Sequence, residues 1–207
     1  MRLSKSGLAI ELSKLKVFET PKVRLEQYPT DSEIAGEVLW LAYMRNDIEG
    51  KAIADLGCGT GILGLGTMIL GAKKTYFIDE DKDALDLAKI NHRKVSDDCD
   101  IKGKAEFIKD DIKTFKHKVD TVIENPPFGI KQKHADKAFL KKAFSISKVI
   151  YTIHKIESAK FIEKLSEDNK FKVTDILEFD FPLKNTLEHH KRRIHRIKVG
   201  CWRIEKN

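Results

Sequence analysis

The sequence predicts an α/β fold: a seven-stranded, mostly parallel sheet with helices on both faces. Short apolar runs alternate with helix-length amphipathic segments, which is the pattern of parallel strands joined by crossover helices. A glycine-rich turn follows an early apolar run, where open α/β sheets bind ligands. The last two runs have no convincing helix between them and are expected to pair antiparallel at one edge.

Taken in order, the strands are expected over residues 51–55, 74–78, 105–109, 119–124, 148–153, 172–179 and 194–204. The helices are expected over 31–46, 62–70, 82–95, 135–145 and 158–168. The first strand carries Ala52, Ile53 and Ala54, and the turn after it leads into the apolar stretch Ile62 to Leu70. This arrangement puts Asp55, Asp79, Asp111 and Asn125 at or just past strand carboxyl ends, on one edge of the sheet.

At 207 residues, 41% hydrophobic and 34% charged, the chain suits one folded domain spanning 1–207. No apolar run approaches the roughly 18–20 residues needed to cross a bilayer, so a cytoplasmic setting is expected. Cys58, Cys99 and Cys201 are far apart and form no Cys-x-x-Cys pair, which argues against a disulfide framework or zinc site. His189, His190, His195 and Cys201 match no common metal-ligand spacing and lie among cations; no metal is expected.

The turn reads Asp55-Leu56-Gly57-Cys58-Gly59-Thr60-Gly61. Glycines at alternate positions let the backbone reverse and approach a ligand where a Cβ would collide. Gly59, Gly61 and Gly64 also fit the dinucleotide fingerprint, with Asp79 placed for a ribose. Asp55 separates the two readings: an acid there suits the cationic methionine end of S-adenosylmethionine and repels a pyrophosphate.

Asn125-Pro126-Pro127-Phe128 supplies the chemistry. A planar, poorly nucleophilic amine must have its two N–H groups held by acceptors before it attacks an electrophile. Asn125 offers one acceptor; Pro126 keeps its carbonyl, aimed by its fixed φ and by the proline that follows. Phe128 can stack on a base. Pro-Pro also makes a rigid turn after a strand, Asp79 could cap the helix that begins near Asp83, and Asp110 or Asp111 could simply end a strand in a turn.

Glu26-Gln27-Tyr28-Pro29-Thr30, the glycine turn, and Glu124-Asn125-Pro126-Pro127-Phe128-Gly129 together resemble the methyltransferase-like 5 group of small-subunit ribosomal RNA adenine-N6 methyltransferases, over nearly the whole chain. The resemblance implies a seven-stranded Rossmann-like class I methyltransferase fold, S-adenosylmethionine as cofactor, one adenine as target and a small Trm112-like partner. It implies that Gln27 and Thr30 close over the cofactor and that Asp55, Gly57, Cys58, Gly59 and Gly61 line its methionine portion. Asp79 would hold the ribose and Asp111, with Asp110 as its rival, the adenine. Asn125, Pro126, Pro127 and Phe128 would hold the target base. Methylation of a protein glutamine and a non-catalytic RNA-binding or assembly module stay open beside it.

Charge points to the partner. The net balance is +7, and residues 184–207 and 130–160 each hold eight lysines or arginines against two acids. Both stretches are expected at the catalytic edge, as phosphate-tracking surface. Lys131, Lys133, His189, His190, Lys191, Arg192 and Arg193 are the candidate RNA contacts, with Lys191-Arg192-Arg193 rising most clearly above a solvated lysine face.

Overall fold

The computed structural model describes residues 4–22, 26–27, 29–127, 135–183 and 195–207. Seven strands form one sheet in the order β3-β2-β1-β4-β5-β7-β6. They are β1 (Ala52–Leu56), β2 (Lys74–Asp79), β3 (Lys104–Lys109), β4 (Thr121–Glu124), β5 (Val149–Lys155), β6 (Phe171–Leu183) and β7 (His195–Lys206). The first five run parallel, while β7 pairs antiparallel with both β5 and β6. The strand order therefore reverses between β1 and β4, above which a crevice opens at the carboxyl edge.

Helices cover both faces, as the alternation requires. Helices α1 (Lys5–Ser13), α2 (Ser32–Met44), α3 (Ile62–Ile69) and α4 (Lys82–Asp98) bury Leu8, Leu12, Val38, Leu39, Leu65 and Leu85 against Ile53, Phe77, Ile123 and Tyr151 of the sheet. Helices α5 (Ala135–Ile146) and α6 (Ala159–Asp168) bury Leu140 and Ile162 on the other side, against Leu56, Val122, Ile150 and Trp202. The sequence pattern missed α1. Its buried positions are Leu8, Ala9 and Leu12, but Ile10 between them is 57% exposed, which breaks the apolar stripe. The second difference is length: β6 reaches Leu183, where alternation suggested a stop near Phe179, because β7 pairs with it all the way to His195.

Helix starts follow local chemistry where they can. Asp31 caps α2 by accepting from the N–H groups of Glu33 and Ile34, and Asp81 caps α4 by accepting from Asp83 N–H. Asp79, two residues earlier, is therefore not the cap of α4. Helix α3 has only Gly61, with φ +84, at its cap position and no capping side chain. Its Gly64 N–H donates instead to Asp55 Oδ2 on β1 at 2.8 Å, so the strand supplies the cap from beneath. Gly64 also lies against the ring of Phe77; a Cβ there would sit 2.4 Å from it.

A buried polar network joins the far end of the sheet to the loop after α2. Arg203 Nε donates to Asp47 Oδ2 at 2.8 Å and to the Tyr151 hydroxyl at 3.1 Å; the Tyr151 hydroxyl donates to the same carboxylate at 2.7 Å. Arg203 is 7% exposed and Asp47 8%. Arg203→Ala strands the carboxylate in the interior and is expected to cost about 3–5 kcal/mol, seen as a lower urea midpoint at unchanged slope. A loss below about 1 kcal/mol would show the network to be dispensable.

Candidate active site

The crevice over β1 and β4 holds a cavity of about 260 Å³. The β1–α3 turn forms its floor. Gly57 and Gly59 have φ of +66° and +54°, a region where a side chain is strained, and a Cβ on Gly57 would stand 2.8 Å from the Phe139 ring. A side chain at Gly57 would thus push Phe139 out of its place on the cavity wall.

Acids surround that floor. Asp55 is 1% exposed; burial pushes its carboxyl up to about 7, against the Gly64 N–H bond, with Asp79 adding to the rise. Asp79 Oδ2 accepts from Gly59 N–H at 2.9 Å and Oδ1 from Asp81 N–H at 2.9 Å, and burial raises it too. Glu80, Asp110 and Asp111 also line the cavity, and Lys113 is its one basic lining residue among those described. Two N–H groups of the glycine turn and the following helix, those of Gly59 and Gly64, are thus taken by carboxylates. A pyrophosphate would find neither donor free and would meet like charge. A nucleoside carrying a cationic tail fits: acids for its charge and diol, and Ile62, Leu63, Ile112 and Phe139 for its flat apolar parts.

A strap from the N-terminal segment closes one side. Asn91, fully buried on α4, accepts from Lys16 N–H at 2.8 Å and donates to Lys16 O and Thr60 O, each at 2.9 Å. Further along, Gln27 Nε2 donates to Asp81 Oδ2 at 2.7 Å and Lys22 Nζ donates to Asp81 Oδ1 at 2.7 Å. Burial alone would raise the Asp81 carboxyl; these two partners outweigh it and hold it below its ordinary value. The strap brings Phe18, Gln27, Pro29 and Thr30 to the cavity wall.

At the end of β4, Asn125 Nδ2 donates to Thr30 Oγ1 at 3.0 Å. Asn125 Oδ1 is buried and has no hydrogen-bond partner among the described residues. Glu124, beside it, points to the other face of the sheet layer: it is fully buried, accepts from the Thr152 hydroxyl at 2.9 Å, and burial lifts it to about 8. Thr152 Oγ1 is 2.7 Å from His154 Nε2, and burial drops that imidazole to about 3. Burial thus favours the neutral form of both groups.

The structure thus brings Gln27, Thr30, Asp55, Gly57, Cys58, Gly59, Asp79, Asp111, Asn125 and Pro127 to one cavity. Gly61 is not on its wall; it occupies the position before the first turn of α3, where a Cβ would stand 3.1 Å from that of Ala88. Pro126 is buried next to the wall rather than on it. Asp111 also accepts from Lys113 N–H and so starts the 3-10 turn Ile112–Thr114, while Asp110 accepts from Asp111 N–H. Sequence reasoning missed Phe18, Glu80, Ile112 and Phe139. Glu80 and Ile112 each directly follow an acid already singled out, a signal present in the chain; Phe18 and Phe139 arrive from distant segments.

Two basic stretches need correction. Arg203 is buried in its ion pair, and antiparallel β7 carries it and Lys206 towards the amino end of β5, away from the crevice. Lys148 precedes β5 at that same far end, and Lys142 Nζ is spent on the carbonyls of Lys113 and Phe115 at 2.8 Å. Lys198 is exposed near the carboxyl edge, where the β6–β7 pair runs past its last β5 partner, Val199 opposite Lys155. Phe128, Lys131, Lys133, His189, His190, Lys191, Arg192 and Arg193 lie outside the described residues, as does Tyr28.

Residues 32–148, more than half of the chain, match the Methyltransferase small domain family. A zebrafish (Danio rerio) rRNA N(6)-adenosine-methyltransferase METTL5 is 35% identical over 93% of this chain and 94% of its own length. The chain belongs to that family, on its METTL5 branch. MJ0284, an uncharacterized protein of Methanocaldococcus jannaschii, is 39% identical over 99% of this chain and 95% of its own. The crystal structure of PH1948 from Pyrococcus horikoshii, a candidate RNA methyltransferase, superposes with a TM-score of 0.87 at 46% identity, covering 98% of both chains.

A cationic ligand beside Asp55 favours the ionised carboxylate. The affinity for S-adenosylmethionine of this METTL5-branch chain is expected to rise as pH is raised through about 7, with a proton released on binding. In Asp55→Asn the affinity falls and its pH dependence flattens. Calorimetry in buffers of different ionisation enthalpy reads both, and a flat wild-type profile would remove Asp55 from the charge recognition.

Proposed function

We propose that this chain transfers a methyl group from S-adenosylmethionine to N6 of an adenine in small-subunit ribosomal RNA. The observation that carries this reading is Asn125 Oδ1, a buried acceptor without a partner among the described residues on the wall of an acid-lined nucleoside-sized cavity. A buried polar atom left unpaired costs free energy unless something pairs with it. The METTL5 relatives, named rRNA N(6)-adenosine-methyltransferases and similar along nearly their full lengths, favour an adenine of ribosomal RNA over a protein glutamine or a role without catalysis.

In this reading S-adenosylmethionine supplies an electrophilic methyl carbon held on a sulfonium. The chain does the rest. Asp55 and the turn of Gly57, Cys58, Gly59 and Gly61 hold the cationic end, Asp79 accepts from the ribose diol, and Asp111 accepts from the cofactor's adenine amine. Gln27 and Thr30 close the strap. Asn125 Oδ1 and the Pro126 carbonyl accept from the two N–H groups of the target amine, so the nitrogen lone pair leaves ring conjugation and faces the methyl carbon. Pro127 and Phe128 pack on the base. Lys131, Lys133, His189, His190, Lys191, Arg192 and Arg193 track phosphates at the carboxyl edge, a reading supported by the described ends of β6 and β7, Leu183 and His195, which lie on that side of the sheet. Residues 1–207 work as one unit in the cytoplasm, where ribosomal RNA is the substrate.

Replacing Asn125 by alanine is expected to leave S-adenosylmethionine affinity nearly intact and to slow single-turnover transfer to ribosomal RNA by about 10²–10³. Asn125→Asp, which keeps an acceptor, is expected to retain part of the rate. Transfer by the alanine variant within a few-fold of wild type would end the adenine-acceptor reading.

The same reading includes a Trm112-like partner, and β3 is where we place it. Among the described residues this strand is an edge of the sheet, with no strand paired on its outer side. Lys104 and Asp110 N–H groups point inward, to Lys73 O and Asp79 O, so by alternation those of Ala105, Phe107 and Lys109 point outward. An added strand would pair with them. Proline at Phe107 then removes an outward donor and no bond of the chain's own ladder. Phe107→Pro is expected to fold and to lose co-purification with a Trm112-like protein; a folded variant that keeps the complex would move the interface elsewhere.

A further inference from the structure

Two orientations of the Asn125 amide have the same shape and opposite chemistry. One offers the base an acceptor; the other offers N–H groups to an amine that is itself a donor, and is inert. A neighbour must select between them. The amide touches Thr30 Oγ1, 3.0 Å from Nδ2, which is 95 residues away in sequence. We propose that Thr30 is the positioning residue for Asn125: its hydroxyl accepts from Nδ2 and thereby turns Oδ1 to the substrate amine. This rests on the adenine-acceptor reading above and adds to Thr30 a task separate from closing over the cofactor.

The position of that hydroxyl is fixed from both sides. Before it, Gln27 is bonded to Asp81, at the start of α4. After it, Asp31 is committed to the first turn of α2, where its Oδ1 accepts from Glu33 N–H at 2.9 Å. Thr30 itself is 9% exposed, so water competes poorly for the contact. A hydroxyl accepts through a lone pair while its own hydrogen donates elsewhere. Any acceptor on the cavity wall or on a bound ligand that takes this hydrogen leaves Thr30 with acceptance alone to offer Asn125. Strap closure and acceptor orientation are thereby joined at one oxygen.

Thr30→Val removes the hydroxyl at nearly constant shape, Thr30→Ala repeats the loss in case valine disturbs the strap, and Thr30→Ser restores the oxygen. In cofactor-free protein, the side-chain amide signals of Asn125, assigned by their absence in Asn125→Asp, are expected to exchange with solvent about tenfold faster in the valine and alanine variants. Because Thr30 also closes over the cofactor, single-turnover transfer is read at saturating S-adenosylmethionine, where it is expected to stay about tenfold below wild type in the valine and alanine variants whatever the change in Kd, and serine is expected to recover most of both readouts. Unchanged amide exchange would overturn the proposal. So would a transfer rate that returns to wild type once cofactor is saturating, which is the pattern of a residue that only holds the cofactor. If the wild-type chain transfers nothing to ribosomal RNA, the substrate reading fails, and amide exchange still decides whether Thr30 orients Asn125.

Discussion

Carboxylates accept from two N–H groups of the β1–α3 turn and the helix it opens, and the rest of the site is arranged about those two bonds. Gly64 N–H, the orphan donor of an uncapped helix, goes to Asp55; Gly59 N–H goes to Asp79. Each bond ties the turn to a different strand, β1 and β2, which sets the floor of the cavity. Each also spends a donor that related nucleotide folds direct at phosphate. The same three-glycine spacing thus supports opposite charge preferences, decided by whether an acid reaches the backbone first.

Much of this was legible in the chain because it depends on short spacings. Asp55 precedes Gly57 by two residues, Asp79 ends a strand recognisable from its own apolar run, and Asn125-Pro126-Pro127 carries its geometry in proline φ angles. The strands alternate because each lies between helix-length segments, so fold class followed from local pattern. What stayed hidden depends on distance. Thr30 meets Asn125 only through the path of the strap, and Phe139 meets Gly57 only once α5 has docked. Counting cations erred for the same reason: Arg203 belongs to a basic segment in sequence and to a buried ion pair in space.

The distribution of charge in the folded chain is sharper than its sum. Acids gather inside the crevice, where a sulfonium and an ammonium would be held, whereas Lys198 lies exposed near the same edge. A polyanion approaching that edge meets repulsion from the cavity and attraction from its surroundings. Under the function proposed above, the polyanion is kept to the rim and a single flipped base enters, an arrangement that admits an adenine and excludes a phosphate.

The insertion of β7 between β5 and β6 has a consequence for how the sheet comes apart. Among the described residues no ladder joins β6 to the parallel strands; it pairs with β7 alone, so breaking the β5–β7 ladder releases both strands from the rest of the sheet. The Arg203, Asp47 and Tyr151 network lies across that seam like a rivet. The β6–β7 pair is in this sense a leaf joined to the parallel half by that ladder, that network and the buried Val199, Cys201 and Trp202, while the glycine turn and its acids belong to the parallel strands, whose ladders to one another do not run through the leaf.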